Sequence, residues 1–428
     1  MEMLRRHIRP LASRVRDYLG ARLEQMLAEL RGQGAAIERQ IVDLSGRLEM
    51  LLPPDDTRRT SPPTPATLDI NLLLHQSRAA LLRQMPPGAR TLLSAGCAGR
   101  WYFDWIEQCY GRVPEHIGIE LYAPTPDDLP TNVRWIANSV SDMSEVVDAS
   151  CDLVFSGQNI EHLWPEEVAG FMAEAARVAR PGGVLVIDSP NRLLTAALNW
   201  SHPEHTVEVT ASEAVELYTL AGFDVTKTVG LWTCRDPRTG RLLPFDPNAP
   251  DGEWSVTERL VAAPAMPDHA FLWWMEGRRN DRSPDAAGLQ ATMAAIFADA
   301  WPERIGRLVA GPGLQRVGVG GEAWIDVPAG WTDAAMFGPY MPLRAGRYNV
   351  SFDLEPSPDA ADGYAACDVV WGEACVELAR IQVPARARRI SLDFSLPELR
   401  FGIQFRCFAQ AGAGFRLRRG VTLIEHRS

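Results

Sequence analysis

Two histidines and two glutamates, His202, Glu204, His205 and Glu208, stand within seven positions of one another. Imidazole is the side chain best suited to taking up a proton near neutral pH, and a nearby carboxylate can hold its ring in one tautomer. The spacing favours His205 as a general base, oriented by Glu208 or Glu204, for a substrate group that must lose a proton. A divalent-metal site built from His202, His205 and a carboxylate is the weaker reading on this spacing, so no metal is expected. In the plainest reading the loop only caps a helix starting near Ser212.

A second stretch with chemical meaning is Thr91-Leu92-Leu93-Ser94-Ala95-Gly96-Cys97-Ala98-Gly99-Arg100-Trp101. An apolar strand runs into small residues and then a helix, which lets backbone N–H groups approach a polar or anionic ligand closely. About 25 residues on, Ile117-Gly118-Ile119-Glu120 ends a second strand in an acid able to accept both hydroxyls of a ribose. Aromatic residues surround these stretches: Trp101, Tyr102, Trp105, Trp164, Trp200, Trp232, Trp273 and Trp274. Most belong to a core, and two or three are expected to line a groove where a flat ring could stack on a sugar face.

The elements that must position these groups alternate. Strands are expected at Thr91–Ala95, 116–121, 133–138, 151–156, 184–188 and 223–229, with helices at 72–85, 101–109, 165–180 and 211–221. Strands separated by helices imply a parallel sheet covered on both faces. A last strand, 271–276, is expected at its edge. From about residue 285 short alternating stretches are punctuated by glycine and proline, the pattern of an antiparallel β-sandwich. Before the α/β region, residues 52–66 are a proline-rich linker. Residues 1–51 carry apolar positions at Leu19, Leu23, Met26 and Leu30, then at Ile37, Ile41, Leu44, Leu48 and Leu51. Alternating steps of four and three make the seam of a coiled coil, with a break across Gly32-Gln33-Gly34. The division is then 1–51 coiled coil, 52–66 linker, 67–284 α/β domain and 285–428 sandwich.

The order of motifs resembles the class I S-adenosylmethionine-dependent methyltransferases over roughly residues 90–230. The resemblance rests on the GCAGRW turn, Glu120, Asn138-Ser139-Val140-Ser141-Asp142-Met143, Asp152-Leu153-Val154-Phe155-Ser156, Ile160-Glu161-His162-Leu163, and Arg180-Pro181-Gly182-Gly183 followed by VLVID. It implies a Rossmann-like fold and S-adenosylmethionine as cofactor. Ser94, Ala95, Gly96, Cys97 and Gly99 would hold the methionine part and Glu120 the ribose. Ser139, Asp142 and Met143 would contact the adenine, while Gly157 and Gln158 would border the sulfonium. The acceptor would meet Asn159, Arg192, Trp200 and His202, with His205, His162 and Glu208 as catalytic groups. Ser94 and Ala98 stand where the family usually has an acid and a further glycine. The sandwich segment from Trp331 to Tyr348, with its R-A-G-R-Y turn, resembles modules attached to bacterial glycan-processing enzymes.

Bulk properties narrow the class. The chain has 428 residues, too many for one compact domain, and a formal net charge of −11, which argues against nucleic acid as a partner. Seven scattered cysteines without a C-x-x-C pair read as reduced thiols in a cytoplasmic protein. No apolar run of membrane-spanning length is present, although Arg5, Arg6, Arg9, Arg14 and Arg16 could touch an anionic membrane face. The expectation is a cytoplasmic O-methyltransferase acting on a sugar hydroxyl of a bacterial surface glycan or its lipid-linked precursor. The competing expectations are a non-catalytic glycan-binding scaffold on a degenerate domain, and a methyltransferase for a small molecule or lipid. Self-association is expected through the N-terminal helix. Sedimentation of a chain lacking residues 1–60 should show a smaller oligomer than the full chain, and an unchanged oligomeric state would end the coiled-coil reading.

Overall fold

The computed structural model describes residues 68–249, 253–319, 322–410 and 412–426. The coiled coil and the linker read from residues 1–66 lie outside them. The described residues form two compact units, one of 68–77 with 246–249, the other of 78–245 with 253–426. In the first, the Asn248 side chain accepts from the Leu68 N–H at 2.7 Å and donates to the Leu68 carbonyl at 2.8 Å.

The second unit is built on a seven-stranded sheet ordered β3-β2-β1-β4-β5-β7-β6. Its strands are β1 (Thr91–Ala95), β2 (Glu115–Ile119), β3 (Val133–Ile136), β4 (Cys151–Gly157), β5 (Ala179–Pro190), β6 (Phe223–Thr233) and β7 (Ala270–Arg279). β1 to β5 pair in parallel, and β7 runs antiparallel to both β5 and β6. The final strand is therefore not at the edge, as its position in the chain suggested: it inserts between β5 and β6, which places Trp273 and Trp274 in fully buried positions. Central parallel strands are covered on both faces and read as apolar runs. One face carries Leu93, Ile117, Val154 and Ile187 into a core shared with helices α3 (Pro165–Val178) and α5 (Ala211–Leu220). The other face carries Ser94, His116, Phe155 and Asp188 beside helix α2 (Arg100–Tyr110) and the part of helix α1 (Ile70–Gln84) from Arg78 onward. Helix α3 stops at Val178, because the R-P-G-G turn is looped out of the strand pairing between Cys151–Ala179 and Leu153–Val184, with Gly182 at φ 75°. The remaining short helices here are α4 (Arg192–Ala197) and α6 (Val256–Ala262).

Residues 286–305 form a 20-residue helix, α7 (Ala286–Ile305), where the glycine- and proline-punctuated texture read from residue 285 on led to a sandwich. The helix is capped by Asp285, whose carboxylate accepts from the Gly288 N–H at 2.9 Å. Leu289, Met293, Ile296 and Ala300 join the α/β core, so the helix belongs to the first domain by packing. Two antiparallel sheets follow. One has the order β16-β13-β18-β10-β9; the other runs β15-β14-β17-β11-β8, with β12 also paired to β17. Their strands are β8 (Val309–Ala310), β9 (Gln315–Val319), β10 (Glu322–Val327), β11 (Ala334–Phe337), β12 (Pro339–Leu343), β13 (Gly346–Pro356), β14 (Ala365–Trp371), β15 (Val376–Gln382), β16 (Arg389–Leu396), β17 (Arg400–Ala409) and β18 (Phe415–His426). Strand β16 alternates strictly between exposed and buried positions, and Val350, Phe352, Leu392, Val369 and Phe405 fill the core between the sheets. Among the described residues no helix is long and apolar enough to cross a membrane.

Arg304, 1% exposed near the end of α7, joins the sandwich to the α/β domain. Its guanidinium donates to Ser201 Oγ and to the carbonyls of His202, His205, Pro339 and Tyr340. Burial lowers its pKa to about 10, still far above neutrality. Replacing it would leave several buried acceptors without a donor. Arg304→Met should destabilise the chain by about 3 kcal/mol or more, read as a lower midpoint of thermal unfolding; an unchanged midpoint would show that these bonds contribute little.

Candidate active site

The carboxyl ends of the parallel strands gather two groups of side chains. The first surrounds β1 and β4. Gly96, at φ 73°, sits where a Cβ would collide with the Asn159 side chain, so this glycine is required by close approach. The N–H groups of Gly96 and Cys97 both donate to the Ile119 carbonyl, at 3.0 and 3.2 Å. They pin the turn to β2 and are not open to a ligand as the glycine-rich sequence suggested. Ser94 is also turned inward: its hydroxyl lies 2.8 Å from His116 Nε2, and His116 Nδ1 lies 3.2 Å from Glu107. The serine is fully buried because it faces α2 across the sheet, and its hydroxyl is engaged by His116. Ala95, Cys97 and Met143 are likewise fully buried. Met143 packs in the core through its side chain while its N–H donates to Glu174 at 2.8 Å.

What remains open fits an adenosyl amino acid. Glu120 accepts from the N–H groups of Tyr122 and Ala123 through Oε1, which fixes the carboxylate and leaves Oε2 for a ribose hydroxyl. Gly99, at φ 140°, leads into the N-terminus of α2. Ser139 and the exposed Asp142 lie in the loop after β3, where Ser139 Oγ is 2.8 Å from Ser141 Oγ. Gln158 adopts φ 54° just beyond β4 and donates from Nε2 to Asp188 at 2.7 Å. The backbone sequence alone gave no sign of Arg78. Its Nε donates to buried Asp188 at 3.0 Å, 110 residues away, and its Nη2 is buried without a hydrogen-bond partner among the described residues. Asp188 keeps the guanidinium charged against the cost of burial. A Cβ on Gly157 would collide with that same Nη2, so the chain is shaped around it. An unpaired buried cationic N–H at the strand ends suits the carboxylate of the methionine moiety.

The second group is the 199–209 loop packed against the 3₁₀ turn at Ile160–His162. Thr206 donates its N–H to the Glu161 carbonyl at 2.7 Å and its hydroxyl to the His162 carbonyl at 3.2 Å. These two bonds bring His205 against His162, with ring centroids 4.7 Å apart, and His202 4.4 Å from His205. Trp200 stacks on His202 with the rings inclined by 23°. His205 Nδ1 lies 3.1 Å from Glu208, which is itself fully buried. Burial opposes the charge on Glu208, but Arg307, 2.9 Å from its second oxygen, and then His205 hold it below the usual carboxylate range. The carboxylate therefore accepts, His205 carries its proton on Nδ1, and Nε2 is left with a lone pair. Burial lowers the pKa of all three histidines, His202 to about 4, and each also feels its neighbours' charge, so all are neutral at pH 7.

Of the residues expected to meet an acceptor, Trp200, His202 and Asn159 lie at this junction. Arg192 does not: its guanidinium is taken by Glu213 and Asp299, so it clamps α4 to α5 and α7. Among the aromatic residues Tyr102, Trp105, Trp232, Trp273 and Trp274 are core. A cleft of about 630 Å³ opens beside Pro203 and Glu204, lined from the sandwich by Phe337, Tyr340, Phe401 and Phe408. The sequence offered no signal for these four, because only the pairing of β11, β12 and β17 brings them together.

Glu161, Glu208 and Asp188 crowd the junction with acids. Glu161 is fully buried; Ser189 donates to its Oε2 at 2.9 Å, and Oε1 has no hydrogen-bond partner among the described residues. Burial, together with the charges of Asp188 and Glu208, raises its pKa to about 8 from an ordinary 4.5. Glu161, His162 and His205 each bring a donor atom within 4.8 Å of the others.

Residues 93–187 match a family model described as a methyltransferase domain. A probable S-adenosylmethionine-dependent methyltransferase of Mycolicibacterium smegmatis is 35% identical over 147 residues, which is 33% of this chain and 55% of that protein. One of Mycobacterium tuberculosis is 30% identical over 171 residues, 39% of this chain and 61% of that protein. The chain thus spans a little over half the length of these curated relatives. Among solved structures, a S-adenosylmethionine-dependent methyltransferase of Archaeoglobus fulgidus aligns over 49% of this chain and 95% of its own with 19% identity and a TM-score of 0.34.

The raised pKa of Glu161 has a stability consequence in the metal-free chain. The unfolded carboxyl ionises near 4.5 while the folded one keeps its proton to about 8. Its contribution is therefore intact below pH 4.5 and lost as pH rises to about 8. Glu161→Gln, which keeps the acceptor for Ser189 but cannot ionise, should be more stable than the wild type by roughly 3 kcal/mol at pH 9. The difference should vanish towards pH 4.5 in denaturant titrations. A gap independent of pH would refute the assignment.

Proposed function

We propose that the chain is an S-adenosylmethionine-dependent methyltransferase that methylates a hydroxyl, and that the acceptor is a sugar of a surface glycan or its lipid-linked precursor. The methyltransferase part is supported by the family match and the relatives' descriptions. The observation that carries the hydroxyl acceptor is the cluster of neutral histidines that Thr206 gathers against the turn following β4. A hydroxyl is a weak nucleophile until its proton is drawn off, whereas an amine or thiolate needs less help. His205 Nε2, fixed by Glu208 behind it, is the atom that acts on that proton.

When bound, the cofactor supplies an electrophilic methyl group on a sulfonium. The chain's own part is to hold and align. Arg78 Nη2 would hold the carboxylate and Glu120 the ribose, with Gln158 and Asn159 just beyond β4 bordering the methionine end. Alignment of the attacking oxygen with the breaking bond is worth several powers of ten in rate. The sugar reading is supported by the aromatic cleft next to Glu204, because the C–H face of a pyranose packs against such rings. A sandwich that holds more of a repeating polymer near the site raises the effective concentration of acceptor units.

Incubation of the full chain with methyl-labelled S-adenosylmethionine and cell-envelope glycan should move label into an alkali-stable ether on the polysaccharide. His205→Ala should lower kcat at least about a hundredfold with unchanged affinity for S-adenosylhomocysteine. Phe401→Ala, in the cleft, should raise KM for polymer while sparing short acceptors. No binding of S-adenosylhomocysteine at millimolar concentration would overturn the enzyme reading. Label confined to lipid or small molecules would overturn the glycan reading.

A further inference from the structure

We infer that Glu161, His162 and His205 form a binding site for one divalent transition-metal ion. Their donor atoms lie within 4.8 Å of one another, one carboxylate oxygen and one ring nitrogen from each histidine. Ligand bonds of about 2.0–2.2 Å would draw tetrahedral donors to about 3.4 Å apart, a closure of little more than an ångström. The side chain of His162, in ring contact with His202 and His205, would supply it by a small rotation.

Three independent features mark the cluster as built for a cation. Glu161 Oε1 is buried with no hydrogen-bond partner among the described residues, an arrangement that costs stability unless something positive sits against it. His205 has a carboxylate on its far nitrogen, the arrangement that orients ligating histidines, and that carboxylate is anchored by Arg307 and by the Thr195 hydroxyl at 3.2 Å. The two ligand segments are fixed to each other by the Thr206 bonds, so the ligands are gathered before any ion arrives. Two imidazoles and one carboxylate suit zinc, cobalt or iron(II) better than magnesium or calcium, which prefer oxygen. Three protein ligands leave a coordination position open for an acceptor oxygen.

What the ion does there rests on the proposed methyl transfer; that it binds does not. An acceptor hydroxyl taking the open position loses its proton to solvent water as the metal stabilises the alkoxide. The alkoxide oxygen then forms a bond to the methyl carbon of the cofactor while the carbon–sulfur bond breaks, and its electron pair stays on sulfur as neutral S-adenosylhomocysteine leaves. With the ion bound, His205 Nε2 acts on the hydroxyl through the ion; in the ion-free chain the same nitrogen takes the proton directly, as proposed above.

The test is titration of the tag-free, chelator-treated full chain with Co²⁺, followed by its visible absorption. One Co²⁺ per chain should bind, giving the intense bands of a low-coordinate site, and Zn²⁺ should displace it. Glu161→Gln and His205→Ala should each weaken Co²⁺ binding roughly a hundredfold while retaining the wild-type circular dichroism. Equal Co²⁺ affinity in both variants, or no binding by the wild type at millimolar Co²⁺, would overturn the site. S-adenosylhomocysteine binding measured on the same preparations separates the two readings. Cofactor bound without Co²⁺ sinks the metal alone, and Co²⁺ bound without cofactor sinks the methyl transfer alone.

Discussion

The site depends on two buried arginines at the end of one helix. Arg304 and Arg307 both come from the last turn of α7 and the residues just after it, and both reach into the 199–209 loop. Arg307 donates to the Trp200 carbonyl at 2.9 Å and supplies the charge that keeps Glu208 ionised in a fully buried position. Without that charge Glu208 would take up a proton, and His205 would lose the partner that sets its tautomer. Arg304 ties the same loop to the sandwich through Pro339 and Tyr340. A segment with no regular secondary structure is thereby held at five points by two buried side chains. Buried guanidinium groups suit this work, because each offers several donors in a fixed plane and stays charged when desolvated.

A second constraint, of the same kind, shapes the opposite wall. Arg78 and Asp188 meet in the interior with Gly157 reduced to a hydrogen so that the guanidinium fits. Gln158 is drawn onto Asp188 from the other side and held at positive φ. Strain at a residue bordering a ligand is tolerated where its surroundings over-determine it. Both walls therefore end in charge fixed from behind. Glu161, whose Oε1 is unsatisfied among the described residues, feels the charge of both Asp188 and Glu208.

How much of this was legible in the sequence follows from the range of the interactions. The alternation of strands and helices, the looped R-P-G-G turn and Glu120 at the end of β2 are local patterns, and they could be read directly. So could the i, i+3 relation of His205 and Glu208. The glycine-rich turn was legible as a turn but not in its bonding: its N–H groups go to Ile119, a partner set by sheet register. Ser94 looked like a ligand-facing residue, yet strand parity turns it towards His116 on the covered face. Met143 and Arg192 were misplaced for similar reasons, one by packing and the other by ion pairs to Glu213 and Asp299, both remote in sequence. Helix α7 was hidden by its glycine and proline, and with it the two arginines on which the histidine loop rests. Arg78 left no local trace at all.

The central claim is that the cradle at β1, β2 and β4 and the histidine loop after β5 make one active site. A crystal structure of the full chain with S-adenosylhomocysteine tests it most directly. The account predicts the ligand's carboxylate on Arg78 Nη2, its ribose on Glu120 and its sulfur turned towards His162 and His205. A sulfur facing away from the histidines, or a ligand bound without contact to Arg78 and Glu120, would contradict it.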